Sequence, residues 1–252
     1  MSKEKTLEEL NHHKDLAISS IDAYLSTLIS SDNPSDQGRA DKLCYWLQDY
    51  MTFLNFEKYF SPNHLRRYKR GEIIKVHLGY NIGSEEGGLH YAVILDKNNS
   101  LNAPTITVVP LTSVKPTTDI NNLFPGNVYL GNELFNSLNS RVTDVHSTLV
   151  QKIKVLQKTL ACMDPENINA NKSDLYAATN AAKAELRLLQ RMQNEISKMK
   201  KGSIALTRQI TTISKIRIYD PKTNHDVLSG IRLSSEKLDA IDAAINNYFI
   251  GR

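Results

Sequence analysis

The sequence has few cysteines and few long apolar runs, and each scarcity excludes a class of protein. Its 252 residues include two cysteines, Cys44 and Cys162, which lie far apart and outside any CxxC pair. This spacing argues against a disulfide framework and against a zinc site. No run approaches the roughly 18 apolar residues of a membrane span, and the first residues, MSKEKTLEEL, lack the apolar segment of a signal peptide. We therefore expect a soluble, cytoplasmic chain that makes no contact with a membrane.

The net charge of +4 is unevenly distributed along the chain. Residues 1–60 carry ten acidic and six basic side chains, whereas residues 61–252 carry 17 acidic and 25 basic ones. A basic body favours an anionic partner such as nucleic acid. Taken alone, however, the same charge is explained more simply by a solvated surface of mixed sign.

The spacing of apolar residues changes twice along the chain, from helical to alternating and back to helical. Short β-branched segments between Gly, Asn and Pro turns occupy the middle, with amphipathic segments on either side. The fold class is therefore α+β. The pattern predicts helices over 5–30, 36–59, 141–161, 173–199 and 233–250, and strands over 71–80, 90–96, 105–112, 127–131 and 200–210.

These elements predict two domains. Residues 1–65 form an N-terminal helical hairpin, and residues 66–252 form a small barrel or strongly curved sheet, with a second helical hairpin inserted at about 140–200. Two interpretations of the acidic first hairpin stay open. Its charge suits a built-in inhibitor that covers a basic groove, and its apolar faces suit a part of the core or of a dimer interface.

A glycine-rich loop, GSEEGG at 83–88, precedes His90 at the start of an apolar strand. Glycine has no Cβ and therefore lets the backbone approach a phosphate closely. An imidazole, whose ordinary pKa is near 6.5, can transfer protons at neutral pH. Taken alone, a lone histidine at a strand start is more often structural, and two adjacent glycines form a hairpin turn.

Segments of the predicted sheet resemble, in the same order, the MazF/PemK toxins. They are KRGEIIKVHLG, GSEEGG, AVIL, VVPLT and GSIALTRQITTISKIRI, followed by LSSEKLDAIDAAI near the C-terminus, and they cover about residues 69–135 and 202–250. The resemblance implies a small, curved, antiparallel SH3-like barrel that forms a homodimer. It also implies cleavage of single-stranded RNA without a metal or other cofactor, and a cognate antitoxin that blocks the RNA groove.

The resemblance also assigns roles to individual residues. The family's catalytic threonine corresponds to Thr112, whereas His90 stands at the position of the family's catalytic arginine and Tyr91 at that of the following proline. We expect His90 to transfer protons while Thr112 and Ser84 donate hydrogen bonds to the phosphate. Gly83 also matches the loop of the family. The other matching positions are expected to contact RNA, with Ser84 and the N–H groups around the two adjacent glycines forming an anion-binding nest: Glu85, Gly87, Gly88 and Gln209.

The segment RRYKR, immediately before the first strand, places four cations around one aromatic ring. Such interleaving suits single-stranded RNA, because phosphates bind the charges while a base stacks on the ring. A solvated linker is an equally good interpretation. The predicted RNA contacts in this segment are Arg66, Arg67, Tyr68, Lys69 and Arg70.

Two alternatives to a nuclease remain at this point. One is a module that kept the fold but binds nucleic acid or a protein without cutting, since one fold serves several functions. The other is a structural or regulatory member of a phage or mobile-element system.

Overall fold

The computed structural model describes residues 5–162 and 168–251. The chain divides into two compact units, of which the first ends at Lys58 and the second begins at Tyr59. The sequence places this boundary at residue 65, seven residues later. None of the helices in the described ranges is long and apolar enough to cross a bilayer.

The first unit is a pair of helices, α1 (Leu7–Ile29) and α2 (Pro34–Glu57). Each begins at a residue that caps it. Thr6 forms a capping box with Glu9 before α1, and the side chain of Asn33 accepts a hydrogen bond from the Ser35 amide, with proline at the first position of α2. The predicted N-terminal helices are therefore confirmed, to within two residues at each end.

The second unit is built on one antiparallel sheet, which contains seven strands in the described ranges. The order is β4-β5-β3-β2-β1-β7, with β6 also beside β3, so the predicted small curved sheet is confirmed as an unclosed one. The strands are β1 (Ile73–His77), β2 (Leu89–Ile94), β3 (Thr105–Ser113), β4 (Asn127–Gly131), β5 (Ser203–Leu206), β6 (Thr211–Ser214) and β7 (Ile218–Asp220).

Both faces of this sheet are buried, which explains why its strands read as nearly continuous apolar runs. Because side chains alternate between faces, neighbours in one strand belong to different cores. Ile73 and Val93 pack under the helices of the unit. Ile74 and Ala92 pack instead in a second cluster, on the other face.

In the described part of the second unit, the sheet is accompanied by three α-helices: α3 (Glu133–Ala161), α4 (Ile168–Lys198) and α5 (Ser235–Ile245). The antiparallel pair α3 and α4 lies between β4 and β5, which are themselves paired in the sheet. The two helices are thus inserted between two paired strands that would otherwise form a β-hairpin. Arg141 anchors α3 by donating to the carbonyls of Asp226 and Ser229.

The structure differs from the sequence expectations in several elements. Helix α3 begins eight residues before the predicted 141, and the last helix ends at Ile245, followed by one wider turn over Asn246–Ile250. Strands β6 and β7, which have four and three residues, are absent from the sequence expectation.

Pro110 is not on an edge, because β3 is paired on both sides. On one side of β3, strand β6 pairs with residues 105–108 and strand β5 pairs with residues 111–113. Pro110 lies between these two paired stretches, so its missing N–H group breaks no hydrogen bond between strands on that side.

Candidate active site

His90 and Thr112 lie on the neighbouring strands β2 and β3 and line the same cavity. The two strands are paired from Ile94 opposite Val108 to Ala92 opposite Pro110, and each of the two residues lies two positions beyond that last pair. On its other side β3 pairs Thr112 with Ile204 of β5. The pairing of β2 with β3 therefore brings both residues to one cavity, although they are 22 positions apart in the sequence.

The imidazole of His90 is held by two oxygen atoms. Its Nδ1 lies 3.3 Å from the carbonyl oxygen of Leu111, and its Nε2 lies 3.5 Å from Oε2 of Glu86. A carbonyl only accepts, so this contact places a proton on Nδ1. Nε2 is then the nitrogen that can take up a proton, and the Glu86 carboxylate is placed to stabilise the resulting positive charge.

His90 and Thr112 both line a cavity of about 300 Å³, called the histidine pocket below. Strand β1 contributes Lys75 to its wall, and β5 contributes Ser203. The other charged residues of the lining come from the end of the inserted helix α4 and the loop after it: Glu195, Lys198 and Lys200. With the histidine neutral, three lysines against one glutamate give this lining a net charge of +2.

Glu195 fastens the end of α4 to the sheet. Its Oε1 lies 2.5 Å from Nζ of Lys75 and accepts a hydrogen bond from the Tyr91 hydroxyl. Burial alone would raise the pKa of Glu195, but these two bonds and the charge of Lys198 outweigh it and hold the pKa below its ordinary value. Burial, reinforced by Glu195, raises the pKa of Tyr91, so this hydroxyl stays a donor.

The glycine loop is positioned by Gln209. The side-chain carbonyl of Gln209 accepts a hydrogen bond from the Glu86 amide at 2.7 Å, and its NH₂ donates to the Ser84 carbonyl at 3.0 Å. Ser84, Glu85 and Gln209 line a different, larger cleft of about 1030 Å³. Ser84 is therefore not among the residues that line the histidine pocket.

The predicted phosphate-binding nest is wrong at Gly88, because the N–H group there is already used. It donates to the Gly79 carbonyl at 2.6 Å, and the neighbouring Glu86 amide is bound to Gln209. Glycine is required here for a different reason. A Cβ on Gly87 would lie 2.8 Å from the Gly79 carbonyl oxygen, and Gly88 has a positive φ of 82°. These glycines let the loop fold back on itself.

The comparison with known families adds to this geometry. Residues 69–175 match the model of the PemK-like, MazF-like toxins of type II toxin–antitoxin systems. The resemblance to the PemK/MazF-like toxins is therefore supported over these 107 of the 252 residues. No curated protein matches the chain significantly. The match contains the glycine loop, His90 and Thr112, and it ends within the inserted hairpin.

In this PemK/MazF-like chain, the RRYKR segment is largely structural, so its predicted role as a stacking platform is wrong. Tyr68 is only 2% exposed, and its hydroxyl donates to the Pro221 carbonyl at 2.8 Å. Arg66 pairs with Glu72 at 2.8 Å, and both side chains are nearly buried. Arg70 is bound to Asp242 and to the Leu95 carbonyl.

Arg67 and Lys69 are the exposed cations of this segment. The alternation follows from an extended backbone, which turns Tyr68 inward and its two neighbours outward.

Sequence reasoning missed the groups that α4 brings to the histidine pocket. Glu195, Lys198 and Lys200 lie more than 100 positions after His90, on a helix whose charges look solvated in sequence. No local pattern indicates them. Only the pairing of β5 with β3 shows that the residues just before β5 lie beside Thr112.

Proposed function

We propose that the protein is a metal-independent endoribonuclease that cleaves single-stranded RNA, with the histidine pocket as its active site. The observation that carries this proposal is that His90 and Thr112 line one basic pocket and both lie within the segment that matches the toxin family. Cleavage of a phosphodiester by an internal nucleophile requires a group that transfers protons, a hydroxyl that donates a hydrogen bond and positively charged surroundings.

In the proposed reaction, Nε2 of His90 takes the proton of the ribose 2′-hydroxyl. The 2′-oxygen forms a bond to phosphorus, the bond from phosphorus to the 5′-oxygen breaks, and the leaving oxygen takes a proton from water at the pocket mouth. The products are a 2′,3′-cyclic phosphate and a 5′-hydroxyl. The hydroxyl of Thr112 donates to a non-bridging oxygen, and Glu86, 3.5 Å from Nε2, stabilises the imidazolium.

The match to the toxin family supports two partners besides RNA. Toxins of type II systems are paired with an antitoxin protein. We propose that a cognate antitoxin binds this chain and that the active form is a homodimer. An antitoxin that covered the histidine pocket would stop cleavage by excluding RNA.

A second candidate function is binding without cleavage. Its support is His90 itself, which stands where the resemblance places a catalytic arginine and therefore lacks a permanent positive charge. In that case the sheet would bind nucleic acid or a protein and leave RNA intact.

The test is cleavage of a mixed-sequence RNA pool in EDTA, followed by mapping of the new ends. We expect 5′-hydroxyl ends at a recurring short sequence. We expect His90→Ala to slow cleavage by about 10²–10⁴, and Thr112→Ala to slow it by roughly 10²–10³. The matched controls are His146→Ala and Thr117→Ala, both at exposed positions, and they should cleave at the rate of the unaltered chain.

Each result decides between the candidates. Intact RNA together with a shifted band in a binding gel would support the binding module. Cleavage that is equally fast in the His90→Ala and Thr112→Ala variants would show that the active site lies elsewhere.

A further inference from the structure

The course of the chain fixes the end of α4 beside the histidine pocket. Helix α4 ends at Lys198, and β5 begins at Ser203, which is paired with Ser113 of β3. Gly202 makes the turn between them with a φ of +79°, and its carbonyl accepts the Val114 amide at 3.1 Å. The segment 198–202 is therefore tied to β3 one and two residues beyond Thr112.

Close packing holds this turn in place. A Cβ on Gly202 would lie 2.7 Å from Cγ2 of Val114, so the backbone here rests directly on the strand. On the helix side, Glu195 is bound to Lys75 and Tyr91 of β1 and β2. Lys198 and Lys200 thus lie between two anchored points, and their position relative to the pocket is set by the sheet.

The charges in the pocket are not equivalent. Lys75 is compensated by Glu195, whose Oε1 is 2.5 Å from its Nζ. Lys198 and Lys200 are exposed and form no ion pair with any residue in 5–162 or 168–251. They are therefore the two cations of the pocket that remain available to an incoming anion.

The reaction needs such cations. Attack of the 2′-oxygen builds negative charge on the phosphoryl oxygens, and preorganised positive groups stabilise that charge most where water is partly excluded. A neutral His90 that accepts a proton supplies no charge to the phosphate before the step begins. The hydroxyl of Thr112 supplies a hydrogen bond but no charge.

We propose that Lys198 and Lys200 bind the phosphate at the cleavage site, so that the inserted helical hairpin completes the active site instead of only enlarging the fold. The proposal rests on the ribonuclease function proposed above. It assigns the insert a part in the chemistry: α4 delivers the phosphate-binding charge, while β2 and β3 deliver the proton-transfer and hydroxyl groups.

Two measurements test the proposal in the full chain. The first is cleavage of the RNA pool by Lys198→Gln, Lys200→Gln and the double variant. The second is binding of a mixed-sequence 2′-fluoro RNA pool, which lacks the nucleophile, as a function of salt. The matched control is Lys183→Gln, which removes the same charge from an exposed position on the same helix.

We expect each single variant to lower kcat/KM by about 10- to 100-fold, which corresponds to the loss of one charged hydrogen bond. The slope of log Kd against log salt should fall by roughly 0.7 for each phosphate of the single strand that the variant no longer neutralises. Lys183→Gln should leave both quantities close to those of the unaltered chain. The double Lys→Arg variant should recover most of the activity and the slope.

The two proposals fail in different ways. If the unaltered chain cleaves and the double Gln variant matches Lys183→Gln in both measurements, the lysine assignment is wrong while the nuclease stands. If the unaltered chain does not cleave but the salt slope still drops in the double Gln variant, the phosphate site stands and the nuclease is wrong. An unchanged slope with reduced cleavage overturns phosphate binding by these lysines.

Discussion

At the scale of single residues, burial separates side chains that look equally functional in the sequence. Tyr68 and His90 both lie beside charged or glycine-rich stretches typical of nucleic-acid contacts. The Tyr68 ring is part of the core under β1 and β2, whereas His90 is only partly buried and lines an open pocket. The difference follows from strand geometry, because an extended chain turns alternate residues to opposite faces.

Replacing Tyr68 tests this distinction. We expect Tyr68→Phe to lower the free energy of unfolding by about 1 kcal/mol, because the Pro221 carbonyl loses the hydroxyl that donates to it. RNA binding and its salt slope should not change. Denaturant unfolding and a binding titration measure both effects. The control is Tyr176→Phe on an exposed tyrosine of α4, and weaker RNA binding at unchanged stability would contradict the structural role.

At the scale of elements, the insert α3–α4 is joined to the sheet by its own last turn. Glu195 reaches across from α4 to Lys75 of β1 and Tyr91 of β2. This contact links a helix that the sequence shows only as amphipathic to the strands that form the histidine pocket. The sequence predicts the hairpin itself but carries no signal for the place where its end is attached.

The stability of this attachment depends on pH with a definite sign. The pKa of Glu195 is lowered in the folded protein, so its contribution is present above the unfolded pKa, near 4.3, and is lost as the pH falls through the folded value. We expect Glu195→Gln to reduce the free energy of unfolding by about 2 kcal/mol at neutral pH. The difference should shrink at more acidic pH.

Urea unfolding at several pH values measures this difference. Glu236→Gln serves as the control, since that carboxylate is exposed and its ion pair with Lys237 is a surface one. A difference between Glu195→Gln and the unaltered chain that stays constant from neutral to acidic pH would refute the assigned ion pair.

At the scale of the whole molecule, the two apolar cores draw all of their residues from the second unit. Their members lie between residues 65 and 245, on the strands and on the helices that cover them. None of them belongs to residues 5–58, the described part of the first unit. The second unit, which contains the segment that matches the toxin family, therefore has a complete core of its own.

A chain of residues 59–252 should consequently fold without the first unit. We expect a single cooperative unfolding transition by far-ultraviolet circular dichroism, because the buried clusters remain intact. Trp46, the one tryptophan in the sequence, lies outside this chain and cannot serve as a probe. Loss of cooperativity would show that the second unit depends on residues 1–58.

The same truncation addresses the two interpretations of the acidic hairpin. Cleavage faster than that of the full chain would support a built-in inhibitor, as its charge suggests. Unchanged cleavage would leave the hairpin with a role in stability or assembly.

The elements of this protein and the chemistry of one loop can be predicted from the sequence without the structure. Helical spacing and strand alternation are local properties of the chain, so the helices, the first five strands and the order of the family segments are visible in the sequence. The glycine loop and His90 could be found because they lie within eight residues of one another. They occupy residues 83–90, and recognising them needs no knowledge of contacts between distant parts of the chain.

Which charged and polar groups are available depends on the folded chain. The N–H group of Gly88 cannot bind phosphate as predicted, because it donates to the Gly79 carbonyl. Tyr68 cannot stack on a base as predicted, because its ring is buried. Lys198 and Lys200 gained a place at the pocket because β5 pairs with β3. The physical reason is that burial and hydrogen-bond partners depend on residues far apart in the chain, and strand pairing, which brings them together, leaves no local pattern in the sequence.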